Sequence, residues 1–148
     1  MNTEQRKLLA RRLRAATRHQ PQIPILRDKL LDIGGVELVA PAFPDLEIPT
    51  LIHAGFLMPG PVVVRAMQRS ACHHNVARLW LRRRRTLTAV CTGYSLSDDG
   101  LWRQHSWGAC HGSIIETTIL RQKYFGVMLQ GESAGMFVSL NGPDNGFD

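Results

Sequence analysis

The spacing of apolar residues changes along the chain, from a helical period at the start to a pattern typical of strands later on. A helix is predicted from Thr3 to about Arg18, with an apolar stripe made of Leu9, Leu13 and Ala16. A second, shorter helix is predicted from Ile25 to Leu31, and a strand from Val36 to Val39. Residues 41–61 contain five prolines, so we expect an irregular segment there.

The segment after Pro61 is compatible with a helix as far as Arg83, whose apolar face would consist of Cys72, Val76 and Leu79. This helix begins either at Pro61, with Cys72 in its middle, or close to Cys72, with Ser70 as its N-cap. The sequence leaves both starts open. The arginine cluster Arg82–Arg85 would lie at the helix C-terminus, where cations interact favourably with the helix dipole.

Residues rich in β-branched and aromatic side chains dominate the second half and predict an antiparallel sheet. The predicted strands are Thr86–Leu96, Leu101–Ala109, Gly112–Thr118 and Tyr124–Leu129, with a turn at Asp98-Asp99-Gly100. Helices followed by such a sheet make an α+β fold, with N-terminal helices packed on a small antiparallel sheet. We expect a basic helix or arm over residues 1–20, one α+β domain over 21–140 and a flexible tail over 141–148.

The composition of the 148 residues narrows the class of protein. A hydrophobic content of 44% argues against wholesale disorder, and the chain has no apolar run of membrane-spanning length. The N-terminus is polar and basic without the apolar core of a signal peptide, and three cysteines are too few for a disulfide framework. We therefore expect a reducing, cytoplasmic setting and no membrane partner.

The positive charge is concentrated at the N-terminus. Residues 1–20 contain six lysines and arginines against Glu4 alone, which places +5 of the formal net charge of +6 there. Such a segment is either a solvated helix or a basic arm that binds nucleic acid or an acidic partner. No base-reading motif accompanies it.

The strongest chemical signal is the set Cys72, His105 and Glu116. Thiol-based acyl transfer needs a nucleophile, a base and a residue that orients the base. If Cys110 and His111 form the tip of a hairpin, His105 lies directly opposite Glu116, with Cβ atoms about 4.5–5.5 Å apart. A shift of the register by one residue would put the two side chains on opposite faces of the sheet.

Further residues are expected to complete this site. An oxyanion hole would use the backbone N–H of Cys72 and one side-chain donor, for which Gln68 is the first candidate and Asn75 the second. Trp107 is expected to pack beside the site and to belong to its substrate-binding residues.

This arrangement resembles the papain-like clan, and most closely its transglutaminase-like branch. The matching elements are a cysteine at a helix start, the pattern H-x-W at His105-Ser106-Trp107, and the acidic residue followed by threonine at Glu116-Thr117. The spacing is similar to that of small bacterial members such as the leader-peptide proteases of lasso-peptide biosynthesis, which also carry a leucine- and arginine-rich helix after the cysteine.

The resemblance covers roughly residues 68–118. It departs from the family pattern in two places: Glu116 stands where this branch more often has aspartate, and His73-His74 follows the cysteine.

The resemblance implies a cysteine-dependent enzyme that acts on a peptide or amide bond of a peptide or protein substrate, without a cofactor. Cys72 would attack the carbonyl carbon, His105 would pass the thiol proton to the leaving amine, and Glu116 would hold the His105 tautomer. The substrate, and the choice between hydrolysis, transfer and deamidation, stay open.

Two alternatives need no catalysis. A zinc site could draw on the sulfur and imidazole ligands that zinc prefers, namely Cys72, His73, His74, His105, Cys110 and His111. The usual spacings C-x-x-C and H-x-x-x-H do not occur, so we expect no metal. A nucleic-acid-binding module would use the basic N-terminus and Arg82–Arg85, and its affinity should weaken steeply with salt.

Overall fold

A computed structural model describes residues 1–42, 44–82 and 87–143. Within these ranges the chain is an α+β protein with five helices and one seven-stranded sheet. The helices are α1 (Thr3–His19), α2 (Ile23–Ile33), α3 (Ile48–Ala54), α4 (Cys72–Arg82) and α5 (Gly131–Asn141). The strands are β1 (Glu37–Leu38), β2 (Phe56–Leu57), β3 (Val62–Val64), β4 (Ala89–Leu96), β5 (Leu101–Cys110), β6 (Ser113–Glu116) and β7 (Lys123–Leu129). None of these helices is long and apolar enough to cross a membrane.

The sheet is mixed, so the prediction of an antiparallel sheet holds for the β5–β6 pair and is wrong for β1 and β3. Its strand order is β2-β7-β4-β5-β6-β3, with β1 beside β5. The β5–β6 pair is antiparallel, whereas β1 pairs with β5 and β3 pairs with β6 in parallel. Strands that pair in parallel are joined by a long connection, so the partners are far apart in the sequence. In addition, β1 and β3 come from the first half of the chain, which lacks an alternating apolar pattern that would indicate a sheet.

The chain divides into two compact units. Among the described residues, the first comprises those of 1–57, 93–104 and 121–125, and the second comprises those of 58–92, 105–120 and 126–143. Strands β4, β5 and β7 contribute residues to both units.

In the first unit, α1 forms as predicted, and α2 packs against α1, α3 and β1. Asn2 and Gln5 form a capping box with hydrogen bonds of 2.8 and 2.9 Å, and Leu13 is buried. The expectation of an irregular segment over residues 41–61 is wrong at α3. This helix tolerates Pro49 because the proline lies in its first turn, where its missing N–H costs no helical bond.

In the second unit, the structure decides between the two helix starts that the sequence left open, and excludes the start at Pro61. The β-branched run Val62–Val64 forms β3, and α4 begins only at Cys72. The buried face of α4 packs on β4 and α5, through Val76, Ala77, Val90, Ala134 and Phe137. Residues 83–85 of the predicted arginine cluster lie outside the described residues.

The end of the second unit contains a helix that the sequence did not indicate. Two glycines lower the helix propensity of α5 and mask the spacing of Ala134, Phe137 and Val138. The predicted flexible tail starts at Asn141, which is the last residue of α5. Residues 144–148 lie outside the described part of the chain.

Candidate active site

Strand β3 carries the chain along β6 toward Cys72. Val64 pairs with Glu116, and the segment that follows remains attached to the same strand. The backbone N–H of Arg65 donates to the carbonyl of Glu116 at 2.7 Å, and that of Met67 donates to the carbonyl of Thr117 at 2.7 Å. The segment that leads to Cys72 is therefore held by hydrogen bonds to Glu116 and Thr117, which belong to the same unit as Cys72.

Cys72 is the first residue of α4, which decides between the two helix starts that the sequence left open. A thiolate at this position is favoured by the positive end of the helix dipole. Ser70 is not the N-cap, because Ala71 directly precedes the helix and its carbonyl accepts from the Asn75 N–H at 2.8 Å. Ser70 instead adopts a left-handed backbone conformation with φ of 55°.

The predicted register of the β5–β6 hairpin is wrong by two residues. Ala109 lies opposite Ile114, and the turn consists of His111 and Gly112 rather than Cys110 and His111. A two-residue hairpin turn of this kind needs positive φ at both positions, and the observed values are 46° and 83°. Gly112 adopts this conformation without steric cost, so the turn forms around it.

A shift of two residues keeps every side chain on the same face of the strand. Continued by one residue, the observed register places Glu116 opposite Trp107, so that His105 and Glu116 are diagonal neighbours. Diagonal neighbours are about 7–8 Å apart rather than about 4.5–5.5 Å. The extra methylene of glutamate, relative to the aspartate more usual in the resembling family, spans this longer distance.

The contact between the two side chains is direct and buried. His105 Nε2 lies 2.7 Å from Glu116 Oε1, and the two side chains are 3% and 0% exposed. The second carboxylate oxygen accepts hydrogen bonds from the backbone N–H of Thr118 at 2.9 Å and from its hydroxyl at 3.0 Å. Both oxygens of the Glu116 carboxylate are therefore held in place.

The thiol of Cys72 is hydrogen-bonded to His105. Since Nε2 of His105 is engaged by Glu116, Nδ1 is the nitrogen that remains for the sulfur. The structure thus brings together the cysteine, the histidine and the carboxylate in the order that acyl transfer requires.

The electrostatics of the pair favour a thiolate facing an imidazolium. Burial by itself would raise the pKa of Cys72, but the hydrogen bond and charge of His105 outweigh it, with help from the backbone N–H groups of Ser106 and His73, and lower that pKa. Burial by itself would lower the pKa of His105, but its hydrogen bonds and charge interactions with Cys72 and Glu116 raise it. Cys91 differs, because burial without such a partner raises its pKa to about 12.

A second polar chain, which sequence reasoning missed, lies beside this site. Nδ1 of His73 is hydrogen-bonded to the hydroxyl of Ser106, and that hydroxyl also donates to Thr92 Oγ1 at 3.4 Å. The His73 ring meets Phe137 edge-on at 6.1 Å. Ser106 is fully buried, and its backbone N–H is one of the groups that stabilise the Cys72 thiolate. The only sequence signal was the unexplained His73-His74 pair after the cysteine.

Asn75 supports the segment before Cys72. Its side chain is fully buried, and Nδ2 donates to the backbone carbonyl of Gln68 at 2.7 Å. This bond gives Asn75 a role in positioning the Gln68–Ala71 loop, in place of the predicted role as oxyanion donor. Gln68 itself is exposed, next to the helix that begins with Cys72.

Trp107 packs against the catalytic histidine candidate. Its ring stacks on the His105 ring, with centroids 6.0 Å apart and an interplanar angle of 25°. Its Nε1–H donates to the sulfur of Met58 at 3.3 Å, and the side chain has no exposed surface. Trp107 therefore fixes the imidazole, and the prediction that it contributes to substrate binding is not supported by its position.

Of the side chains proposed for a zinc site, Cys72 and His105 are in contact with each other. Within residues 1–42, 44–82 and 87–143, no cluster of three or more His, Cys, Asp and Glu side chains is placed to hold a metal ion. His74 is bonded to the backbone carbonyl of Asn141 at 3.0 Å, and His111 lies exposed at the hairpin turn.

Comparisons with protein-family models, with curated proteins and with solved structures found no match to this chain.

Proposed function

We propose that the protein is a cysteine-dependent acyl-transfer enzyme that acts on a peptide or amide bond through Cys72, His105 and Glu116. The observation that carries the proposal is the convergence of these three residues. Cys72 opens a helix and is hydrogen-bonded to His105, and His105 is bonded to a buried carboxylate. A structural cysteine needs none of these arrangements.

In the proposed reaction, the thiolate of Cys72 attacks the carbonyl carbon and forms a tetrahedral intermediate. The backbone N–H of Cys72 and the side chain of Gln68 would donate to its oxyanion. The imidazolium of His105 then gives its proton to the leaving nitrogen as the C–N bond breaks, which leaves a thioester on Cys72. Water or a second amine attacks the thioester, loses a proton to His105 and releases the thiolate.

The second unit would then correspond to a papain- or transglutaminase-like core. The support for this is the arrangement itself, in which the cysteine helix packs on strands of the sheet that carries the histidine and the carboxylate. Glu116 and the two histidines after Cys72 are the points at which this chain differs from that family pattern.

The setting and partners follow from the chemistry proposed. A thiolate nucleophile suits a reducing compartment, for which we propose the cytoplasm, and the substrate would be a peptide or protein. The six basic residues of α1 are all exposed. Their use in binding an acidic partner or nucleic acid remains a prediction.

Selective alkylation tests the proposal. At neutral pH we expect iodoacetamide to label Cys72 much faster than Cys91, which is fully buried. His105→Ala should slow the labelling of Cys72 itself, because the group that lowers the Cys72 pKa is removed. Peptide mapping by mass spectrometry gives the rate at each cysteine, with unfolded protein as the reference for equal reactivity. Equal labelling of Cys72 in the folded wild type and in His105→Ala would refute the proposal.

A further inference from the structure

The edge of the sheet next to the proposed site offers unpaired backbone groups. Within the described residues, β3 ends the strand order and pairs only with β6. The carbonyl of Pro61 accepts from the Ile114 N–H at 2.9 Å, and the N–H of Arg65 donates to the backbone carbonyl of Glu116 at 2.7 Å. Alternate residues of a strand bond to the same neighbour, so the N–H and C=O groups of Val62 and Val64 point away from β6.

The side chains of this edge are apolar and accessible. Val63 and Val64 are 43% and 46% exposed, and both are β-branched residues that favour an extended partner. Gly60 holds the start of the strand at a fixed place, since a Cβ atom on it would lie 2.3 Å from the carbonyl oxygen of Gly112 in the neighbouring turn. The edge is therefore a short, exposed, apolar strand beside which one more strand can pair.

Continuity with the proposed site distinguishes this edge from an ordinary sheet border. The strand that pairs with β3 ends at Glu116, and the loop that leaves β3 runs to Cys72. A segment that pairs with Val62 and Val64 would lie on the same unit as Cys72. Val64 precedes Cys72 by only eight positions in the sequence.

The charge of this region indicates the partner. Residues 58–82 contain four arginines and no aspartate or glutamate, and Arg65 and Arg69 are exposed on the loop between β3 and Cys72. An acidic segment is attracted to such a loop. A second copy of this chain, paired edge to edge through β3, would instead bring two basic loops together.

We infer that the β3 edge binds the peptide substrate as an added strand, and that the preferred segment is extended and carries acidic side chains among apolar ones. The inference rests on the proposed function for the fate of the bound segment. The binding itself requires no reaction at Cys72. Backbone hydrogen bonds to Val62 and Val64 would supply affinity, and Arg65 and Arg69 would supply the preference for acidic residues.

Binding is tested with the full chain carrying Cys72→Ala, so that no turnover takes place. The probe is the acetylated, amidated hexapeptide (Glu-Val)₃, with (Lys-Val)₃ as its matched control, followed by NMR of the backbone amides. We expect the amide signals of Val62 and Val64 to shift with the acidic peptide and to remain in place with the basic one. Unchanged signals at both residues, or equal binding of both peptides, would overturn the inference.

Two substitutions at one position separate backbone pairing from side-chain contact. Val64→Pro removes one outward N–H without touching the bonds to β6, and should weaken binding of (Glu-Val)₃ by up to about tenfold, as the loss of one hydrogen bond predicts. Val64→Ala keeps the N–H and should weaken it by less than about threefold. Equal effects of the two would contradict strand addition.

Analytical sedimentation of the peptide-free protein tests whether a second copy of the chain binds to the β3 edge instead of a peptide. A dimer that Val64→Pro dissociates would show that a second copy takes the edge, and would overturn the inference. Because the binding assay uses Cys72→Ala, its failure would leave the alkylation result, and with it the proposed function, unaffected. Failure of selective alkylation would in turn leave the binding result intact.

Discussion

The length of one side chain decides whether His105 and Glu116 can meet. The hairpin register makes them diagonal neighbours, and the observed 2.7 Å contact depends on the reach of glutamate. Aspartate at this position would keep the charge but fall short of the imidazole by about one carbon–carbon bond length.

We therefore predict that Glu116→Asp slows alkylation of Cys72 at neutral pH, because a weaker bond to the carboxylate lowers the pKa of His105 and with it the positive charge that holds the Cys72 pKa down. Glu116→Gln is the matched control, since it keeps the length and a hydrogen-bond acceptor while losing the charge. Compared with Glu116→Asp, Glu116→Gln should keep His105 closer to its wild-type orientation. The NMR signals of the His105 ring should therefore shift less in Glu116→Gln than in Glu116→Asp. If Cys72 were alkylated at the wild-type rate in Glu116→Asp, the length of the Glu116 side chain would not matter for the activation of Cys72.

The hydroxyl of Ser106 belongs to the second polar chain and contributes to stability. Ser106→Ala leaves the backbone N–H that faces Cys72 but removes the hydroxyl bonded to His73 and Thr92. We expect the free energy of unfolding to fall by about 1–3 kcal/mol, because buried polar groups lose their partner. Urea denaturation measures the loss. If Ser106→Ala unfolded at the same urea midpoint as the wild type, the bonds of the Ser106 hydroxyl would contribute no net stability.

At the scale of the elements, the β5–β6 turn fixes the register on which the site depends. Gly112 has a φ of +83°, so Gly112→Ala should cost about 1–2 kcal/mol although no atom lies near the added methyl group. Gly135 is the control, because it too has open space around it but lies inside α5. Gly135→Ala should stabilise the protein by about 0.5–1 kcal/mol. Urea midpoints that move in the same direction for both would contradict this account of the turn.

The elements that the sequence predicted well are those with a clear period. The stripe of α1 and the β-branched strands β4, β5 and β7 appear close to the predicted positions. Strand β3 and helix α3 were missed, because a short valine run fits a helix or a strand and prolines obscured a helix of seven residues. Parallel pairing was missed as well, since partners distant in sequence leave no local pattern.

The candidate site was predictable in its residue types and not in its geometry. His105 and Glu116 share a face in both the predicted and the observed register, so their contact survived an error of two residues. The helix start at Cys72 could not be read from the sequence, because the residues before it are equally compatible with a helix. The Ser106–His73 bond joins residues 33 positions apart, which no local pattern reveals.

For the molecule as a whole, an ion pair in the first unit links stability to pH. Arg27 Nε donates to Glu37 Oε1 at 2.6 Å. Burial by itself would raise the pKa of Glu37, but its bonds to Arg27 and to the Leu38 N–H lower it. A carboxylate with a lowered pKa in the folded state stabilises the protein above its unfolded pKa of about 4.3, and this contribution is lost as the pH falls through the folded pKa.

We accordingly predict that Glu37→Gln lowers the melting temperature at pH 7 and has a smaller effect at pH 3, because the contribution of a carboxylate with a lowered folded-state pKa declines once the pH falls below the unfolded value of about 4.3. Glu132→Gln, at an exposed position in the first turn of α5, is the comparison variant, and should lower the melting temperature at pH 7 by less than Glu37→Gln because its carboxylate interacts only with the helix dipole. Differential scanning calorimetry gives the comparison. An equal loss at pH 7 and pH 3 for Glu37→Gln would show that the charge of Glu37 is not the cause.

The most direct measurement of the central claim is the pH dependence of the rate at which Cys72 is alkylated. The account predicts that the wild-type rate rises with an inflection below about 8.5, the value of a free cysteine, because His105 and the helix start stabilise the thiolate. In His105→Ala the burial of Cys72 is no longer offset, so the inflection should move upward and the rate at neutral pH should fall. A wild-type inflection at or above that of a free cysteine, or the same inflection in both proteins, would contradict an activated nucleophile at Cys72.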